Sequence, residues 1–440
     1  MKMNAVPRIP EQTPSLSRRT FLGFSAASAA LVAFPALLSA CSSDSSSGGK
    51  KTTVRFWTWY TQQKDEFPKL IAAFEKANPT IHIENRLFGG PNDYLPAMQA
   101  AVSAGDPPEI FAPHVYALEY GKAGVLADLK QELGESFLSD FFDSANQEYT
   151  TGGKQYGLGW MAQTFGLYYN PDIFARAGVQ VPETWDDLIT ISQTIKQKTG
   201  LIPCAFANNP ANTDFLFPFI TQAADDPTLL LKLDAQTDGA SWNSPYVVQG
   251  LQKMDTIIKA GVFNPNSSGV QTPQAEASFY NGQAAMMFQG SWGPQDFAQN
   301  APASFVKLYK VAKTPALAKG GKHWCANQAG AGLSVSALSK NKAAAIEFIK
   351  FLYDPTRYTS TMNTTNSMPA TKSAAAQVQD PILKDMTSWL INGEGSPHIM
   401  FGKGTNDAVS SAVDAIFAGT VTPQQAAANI QDSVKRAQGR

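Results

Sequence analysis

Aromatic rings at the ends of apolar runs, and amide or acid groups gathered in loops, give this 440-residue sequence its chemistry-bearing positions. Trp57, Trp59 and Tyr60 lie where the alternating run that begins at Thr53 passes into a loop. A flat ring in such a place stacks on apolar C–H faces, and Asp, Asn or Gln nearby fork hydrogen bonds to neighbouring hydroxyls. Phe56, inside the run, reads as core instead. Asp93 follows the Phe88-Gly89-Gly90-Pro91 loop and suits either a ligand contact or the N-cap of the next helix. Asn208, Asn209, Asn212 and Asp214 gather ahead of Phe215-Leu216-Phe217. They suit hydroxyl recognition, although turns use the same residues for backbone reasons.

Catalysis finds less support in the sequence. It holds no Gly-x-Ser-x-Gly elbow, His-Glu-x-x-His pair, phosphate loop or dinucleotide fingerprint. A glycosidase would still need only two carboxylates, which leave no fixed spacing. His82, His114, His323 and His398 are too scattered to suggest a metal site, and no cofactor is expected.

A different chemistry is written at the start of the chain. Ser17-Arg18-Arg19-Thr20-Phe21-Leu22 resembles a twin-arginine export signal, and Leu38-Ser39-Ala40-Cys41 resembles a bacterial lipobox. Residues 1–40 would then be removed, and the Cys41 thiol would carry a lipid on the outer face of the cytoplasmic membrane. A plain membrane span is the alternative, since Thr20 to Ser43 carries no charge, but Ala, Ser, Gly and Pro35 make that stretch only weakly apolar. Residues 41–52, rich in Ser and Gly, read as a flexible tether.

Leaving out the first 40 residues removes Lys2, Arg8, Arg18, Arg19 and Glu11 and leaves a net charge of −4, which does not suggest a nucleic-acid partner. The length beyond the tether fits two or more domains. Cys204 and Cys325 remain, and an exported location permits a disulfide between them. Export in the folded state would require those thiols to oxidise with the fold already in place.

The elements that must position these side chains alternate in type. Val54 and Phe56 share one face of a strand, and Phe67, Leu70, Ile71 and Phe74 follow at helical spacing up to Asn78-Pro79. Ile81 to Glu84 alternates again, and Glu109 to Ala112 forms a further strand after Gly105-Asp106-Pro107-Pro108. Strand, helix, strand with short connections is the pattern of a parallel sheet covered by helices. Thr184 reads as an N-cap ahead of Trp185-Asp186-Asp187, with a helix running to Gly200. Ala343 to Leu352 reads as a helix ended by Asp354-Pro355, and Pro423 to Arg440 as a last surface helix. Trp242 reads as packing at a helix start.

Seven pieces in order carry a resemblance: Phe56-Trp57-Thr58-Trp59; Gly105 to Ile110; Gly124-Val125-Leu126-Ala127-Asp128-Leu129; Tyr156-Gly157-Leu158-Gly159 leading to Leu167-Tyr168-Tyr169-Asn170; Val181 to Leu188; Phe279 to Met286; and Gln289-Gly290-Ser291-Trp292. From Val54 onward the chain resembles extracellular solute-binding proteins of family 1, the sugar-binding proteins of ABC importers that include maltose-binding protein. The resemblance implies an α/β chain in a two-lobe type II periplasmic-binding-protein fold, with a multi-stranded hinge and an interlobe ligand cleft. Lobe one would hold residues 53–162 and 326–366, and lobe two residues 163–325 and 367–440. The chain would cross between them near Ala162-Gln163-Thr164, His323 to Gln328 and Ser367 to Lys372.

The same resemblance implies a monomeric, non-enzymatic carrier whose partners are a carbohydrate ligand and an ABC permease. Polyamines, glycerol phosphodiesters and peptides are the other solutes of this fold, and a surface carbohydrate-active enzyme is the rival from another class. Carried over residue by residue, Trp59 and Tyr60 would face the cleft, His114 and Tyr116 would contact ligand just past a strand, and Gln163 would lie at a crossing. Trp292 matches the family's stacking tryptophan, and Asn327, with Gln328, Asn366 and Asn406, is a weaker candidate. No acidic residue directly follows the strand Ile110-Phe111-Ala112, a departure from the pattern of maltose binders.

Overall fold

In the computed structural model, which describes residues 51–208, 215–397, 401 and 403–437, the first strand forms as its alternation requires. In β1 (Thr52–Thr58) Val54, Phe56 and Thr58 turn inward, and in the helix Glu66–Ala77 that follows, Phe67, Leu70, Ile71 and Phe74 are all buried. Asn78 ends that helix by donating its backbone N–H and its side-chain amide to the carbonyl of Phe74. The chain returns as β2 (Ile81–Leu87), parallel to β1. After the helix Pro91–Ser103 comes β3 (Ile110–Phe111), parallel to β1 on its other side.

The remaining strands are the hairpin β4 (Thr150–Thr151) and β5 (Lys154–Gln155), then β6 (Leu158–Tyr169), β7 (Ile202–Ala205), β8 (Ala284–Gly290), β9 (Lys310–Ala312), β10 (Cys325–Val335) and β11 (Gly395–Pro397). The main sheet runs β2-β1-β3-β10-β6-β8-β7, with β11 beside β10 and β9 beside β6. β10 is antiparallel to both β3 and β6, and β6 is antiparallel to β8. β6 has 12 residues, which at roughly 3.3 Å each makes a strand about 40 Å long. Its ladder with β10 shifts register between Gln328 and Ala331 and again before Gly332.

Two hydrophobic clusters lie along these long strands. The first gathers Phe56, Phe67, Trp160, Phe348 and Tyr358, and the second Leu167, Trp185, Phe219, Trp242 and Ile430. β6 therefore supplies Trp160 to one and Leu167 to the other. Met368, Met386 and Trp389 pack in the first cluster, whereas Phe401, Val413 and Val434 pack in the second. Among the described residues no helix is long and apolar enough to cross a membrane.

Local signals in the sequence have clear outcomes. Thr184 and Asp187 form a reciprocal capping box at the helix Trp185–Thr199, which Gly200 ends in the left-handed region. Asp354-Pro355 starts a helix as well as following one: Asp354 Oδ1 accepts the N–H of Arg357 and caps Pro355–Thr364. The last helix, Pro423–Ala437, buries a full face that includes Ile430 and Val434. Its Gln431 accepts the N–H of Trp242 at 2.7 Å, so a tryptophan read as packing is pinned by a polar contact 189 residues away. The disulfide that the sequence left open is not formed. Cys204 and Cys325 are both buried free thiols, one on β7 in the second cluster and the other on β10 in the first. Burial pushes both thiols up.

The Gly105 to Ile110 piece also has a physical role. Arg55 on β1 donates to Asp106 at 2.9 Å, to Glu109 at 3.0 Å and to the carbonyl of Pro107 at 2.8 Å. Hydrogen bonding to Arg55 holds the Asp106 carboxyl below its ordinary range. This clamp ties the turn before β3 to the middle of β1, and so fixes where β3 begins.

Candidate functional site

β8 ends at Gly290, and Ser291-Trp292 turn the chain into the helix Gly293–Asn300. Three bonds fix this turn. The Tyr168 hydroxyl donates to the Gly290 carbonyl at 3.0 Å, the Ser291 N–H donates to Thr164 on β6 at 2.9 Å, and the Trp292 carbonyl accepts from the N–H of Gln295 at 3.1 Å. The half-buried Trp292 indole lies across Gly290 so closely that a Cβ there would come within 2.2 Å of the ring. Phe165 meets it edge to face, with centroids 5.1 Å apart. Such a pair holds the indole by one edge.

Beside the indole is a narrow recess of about 20 Å³ lined by Gln62, Met161, Ala162, Gln163, Ser291, Trp292, Gln295, Asn366, Ser367 and Met368. None of the lining side chains is charged; they are amides, hydroxyls, thioethers, a methyl and the indole. That volume is room for about one water molecule, far below the roughly 300–1,000 Å³ of small-molecule sites. Two larger surface grooves of about 450 and 520 Å³ share no lining residue with the recess, and neither is lined by a Trp or Tyr.

The wall of the recess draws on segments far apart in sequence. Gln62 arrives from the turn Thr61–Gln63 just after β1, Gln163 from β6, Trp292 and Gln295 from the start of a helix, and Asn366 to Met368 from the segment that meets β6 through Ala162 N–H on the Met368 carbonyl. Gln295 donates to the carbonyl of Gln62 at 3.3 Å and joins two of these segments directly. Behind the turn, Glu276 accepts from Gln289 Nε2 while Gln289 Oε1 accepts the Gly290 N–H. Burial pushes the Glu276 carboxyl up to about 8, with Asp296 adding to it, and burial raises Asp296 to about 6.

Of the residues singled out in the sequence, Gln163 and Trp292 line this recess, as does Asn366. Trp59 and His114 meet at a second place, with ring centroids 5.2 Å apart, and Tyr94 tilts against Trp59 at 4.7 Å. His114 is held at a φ of 51°. Asp93, exposed, stands in the first turn of the helix Pro91–Ser103 and caps nothing with its side chain.

Other residues are turned away from solvent. Tyr60 is only 1% exposed and its hydroxyl donates to the Gly332 carbonyl at 2.6 Å. Its placement is that of a core residue, because the ring is enclosed and its one donor is taken. Tyr116 is buried and stacks on Tyr120 at 5.4 Å. Trp57 carries the guanidinium of Arg86 over its ring at 4.7 Å. Asn208 donates to Ser268 and Asp414, a structural use of its amide. The backbone of Asn327 pairs with Thr164 in the β10–β6 ladder. Asn212, Asp214 and Cys41 lie outside the described residues.

Gln62, Ser291 and Gln295 were not singled out from the sequence. Gln62 was within reach, as the first amide along the loop that opens with Trp59. Gln295 carried no signal, because an amide in the first turn of a helix has no distinctive spacing.

Comparison with known proteins places this geometry. The family model described as bacterial extracellular solute-binding protein matches residues 59–356. The multiple sugar-binding protein of Streptococcus mutans is 25% identical over 329 residues, covering 72% of this chain and 75% of that protein. The melibiose/raffinose/stachyose-binding protein of Bacillus subtilis is 29% identical over 297 residues, covering 64% of this chain and 66% of that one. Among solved structures, a chitin oligosaccharide binding protein gives a TM-score of 0.76 at 22% identity, over 89% of this chain and 100% of that chain. The GacH receptor of Streptomyces glaucescens, solved unliganded and with acarbose, gives 0.74 at 21% identity, over 88% and 98%. The fold is thus the two-lobe α/β fold of periplasmic solute-binding proteins. On the extent of the family match, the chain belongs to the bacterial extracellular solute-binding proteins.

Proposed function

We propose that this protein is the substrate-binding component of an ABC importer, and that it captures a neutral sugar or short oligosaccharide between the walls that meet at the recess beside Trp292 and that part to admit it. The observation that carries the reading is an indole fixed by Phe165 at the edge of a recess walled by amides and hydroxyls. A sugar offers an apolar face to the ring and hydroxyls to the amides. A polyamine would call for carboxylates and a phosphodiester for lysine or arginine, and the lining has neither. The same lack of carboxylates speaks for binding without turnover, because glycoside cleavage needs two. The relatives named as binders of several sugars, of melibiose, raffinose and stachyose, and of diacetylchitobiose support the ligand class.

In this reading residues 53–162 with 326–366 and residues 163–325 with 367–440 are the two lobes, β6 and β10 belong to the hinge, and ligand favours the closed form because only then does it touch both sides. Melting of the purified protein in the presence of melibiose, raffinose, stachyose or diacetylchitobiose tests it. A ligand at a hundredfold its Kd adds about 2.7 kcal/mol of apparent stability and raises the Tm by a few degrees. A melt moved by a polyamine, a phosphodiester or a peptide, and by no sugar, would reject the sugar assignment.

Export through the twin-arginine signal and lipidation of Cys41 complete the reading and place a monomeric receptor outside the cytoplasmic membrane, next to its permease. Cys41→Ser is expected to move the exported protein from the membrane fraction to the soluble one. Membrane retention of that variant would remove the lipid anchor from the reading.

A further inference from the structure

We infer that Gln295 couples the bound molecule to lobe closure, its amide N–H gripping the chain of the opposite lobe while its amide oxygen receives a hydroxyl hydrogen from the ligand. This rests on the sugar reading above and names the residue through which that site would be regulated.

Gln295 is in the first turn of the helix Gly293–Asn300 and is only 5% exposed. Its Nε2 donates to the backbone carbonyl of Gln62, 233 residues earlier. A carbonyl can only accept, so the orientation of the amide is settled by its partner. The other end, Oε1, is buried with no hydrogen-bond partner. Buried amide oxygens are nearly always paired, and one left over on a side chain that lines a recess takes its donor from outside the chain, a water while the recess is narrow and a ligand hydroxyl once a sugar replaces that water. The recess that Gln295 lines also presents Gln163, Ser291 and Asn366. A hydroxyl satisfies such a set, because it can donate to Oε1 and accept from an amide nitrogen at once.

The two bonds share one planar amide. A donor at Oε1 polarises the group and strengthens the N–H bond to Gln62, so occupancy favours the arrangement in which the Gln62 and Gln295 segments stay together. Ligand and closure are thereby linked through one side chain, in addition to any stacking on Trp292.

Substitution separates the two roles. Gln295→Met keeps the length and removes both polar ends, whereas Gln295→Glu keeps an acceptor and can donate to the Gln62 carbonyl only while protonated. Binding of melibiose, raffinose, stachyose and diacetylchitobiose to the parent and both variants would be measured by calorimetry from pH 5 to 8, together with each Tm. Gln295→Met is expected to melt within a few degrees of the parent and to bind the best sugar about tenfold more weakly, a fold-change usual for one buried hydrogen bond. Gln295→Glu is expected to bind within about threefold of the parent at pH 5 and to fall at least about tenfold behind it by pH 8. A merely structural glutamine would not give that pH-dependent ratio. If the parent binds a sugar and Gln295→Met binds it equally, or the ratio for Gln295→Glu is flat with pH, this inference fails while the sugar reading stands. If the parent binds none of the four, both fail.

Discussion

Trp292→Ala is expected to weaken binding of the preferred sugar roughly 30- to 150-fold, about 2–3 kcal/mol, while the protein still melts within a few degrees of its parent. The estimate follows from the ring's position. A half-buried indole keeps part of its surface open to a ligand, and covering on the order of 100 Å² of apolar surface accounts for most of that energy. Its contribution to the fold is smaller, since the edge-to-face contact with Phe165 is the one ring contact it makes among the described residues. Gly290→Ala should reproduce much of the loss with the tryptophan still present. The new methyl would collide with the indole at 2.2 Å, and because the collision is with a ring packed on Phe165, the ring must swing off its seat. Parent-like affinity in Trp292→Ala would show that the indole is packing and that the sugar stacks elsewhere.

The second large effect concerns pH. Glu276 is 7% exposed, its hydrogen-bond partner is the neutral amide of Gln289, and its carboxyl is raised to about 8 by burial and by Asp296. Between the ordinary value of 4.5 and about 8, the folded protein keeps a proton that the unfolded chain has released. Stability therefore falls as pH rises through that window and levels off above it. Asp296, raised to about 6, acts in the same direction over a lower range. Glu276 alone accounts for a loss on the order of 4 kcal/mol between pH 4.5 and 8. Glu276→Gln keeps the oxygen that Gln289 needs and removes the titration. The variant should be a few kcal/mol more stable than its parent at pH 8 and nearly equal to it at pH 4.5. Urea unfolding at several pH values measures this, and parallel pH profiles for the two proteins would refute it.

What could be read in the sequence was what is set locally. Phe67, Leu70, Ile71 and Phe74 announced a buried face because helical spacing leaves them no other, and Thr184 with Asp187 announced a helix start because the capping box closes within four residues. Trp292 was legible as a member of an ordered set of short pieces and Gln163 as a residue at an expected crossing, and both line the recess. Contacts closed over long distances left no such trace. Arg55 meets Asp106 and Glu109 across 51 and 54 residues, and Gln62 meets Gln295 across 233, with nothing periodic at either end. Tyr60 illustrates the opposite difficulty. Its place one residue past Trp59 suggested an open face, and only the folded chain brings the Gly332 carbonyl to its hydroxyl and closes the core around its ring. The Cys204–Cys325 question likewise turned on which strand and which cluster each thiol joined, and sequence alone does not decide that.

The break in the β6–β10 ladder has a mechanical meaning. Where register slips between Gln328 and Gly332, adjacent strands surrender part of their cross-bracing, opposite the stretch of β6 that leads from Trp160 in the first hydrophobic cluster to Leu167 in the second. A fully bonded pair would resist bending along its whole length, whereas a pair with one slack joint flexes there and stays stiff on either side. Such a flexure confines motion to a few peptide units and leaves the sheet's remaining bonds intact. In the proposed carrier, bending at that joint would let the two sides part and meet again while the ladder bonds on either side of it are kept.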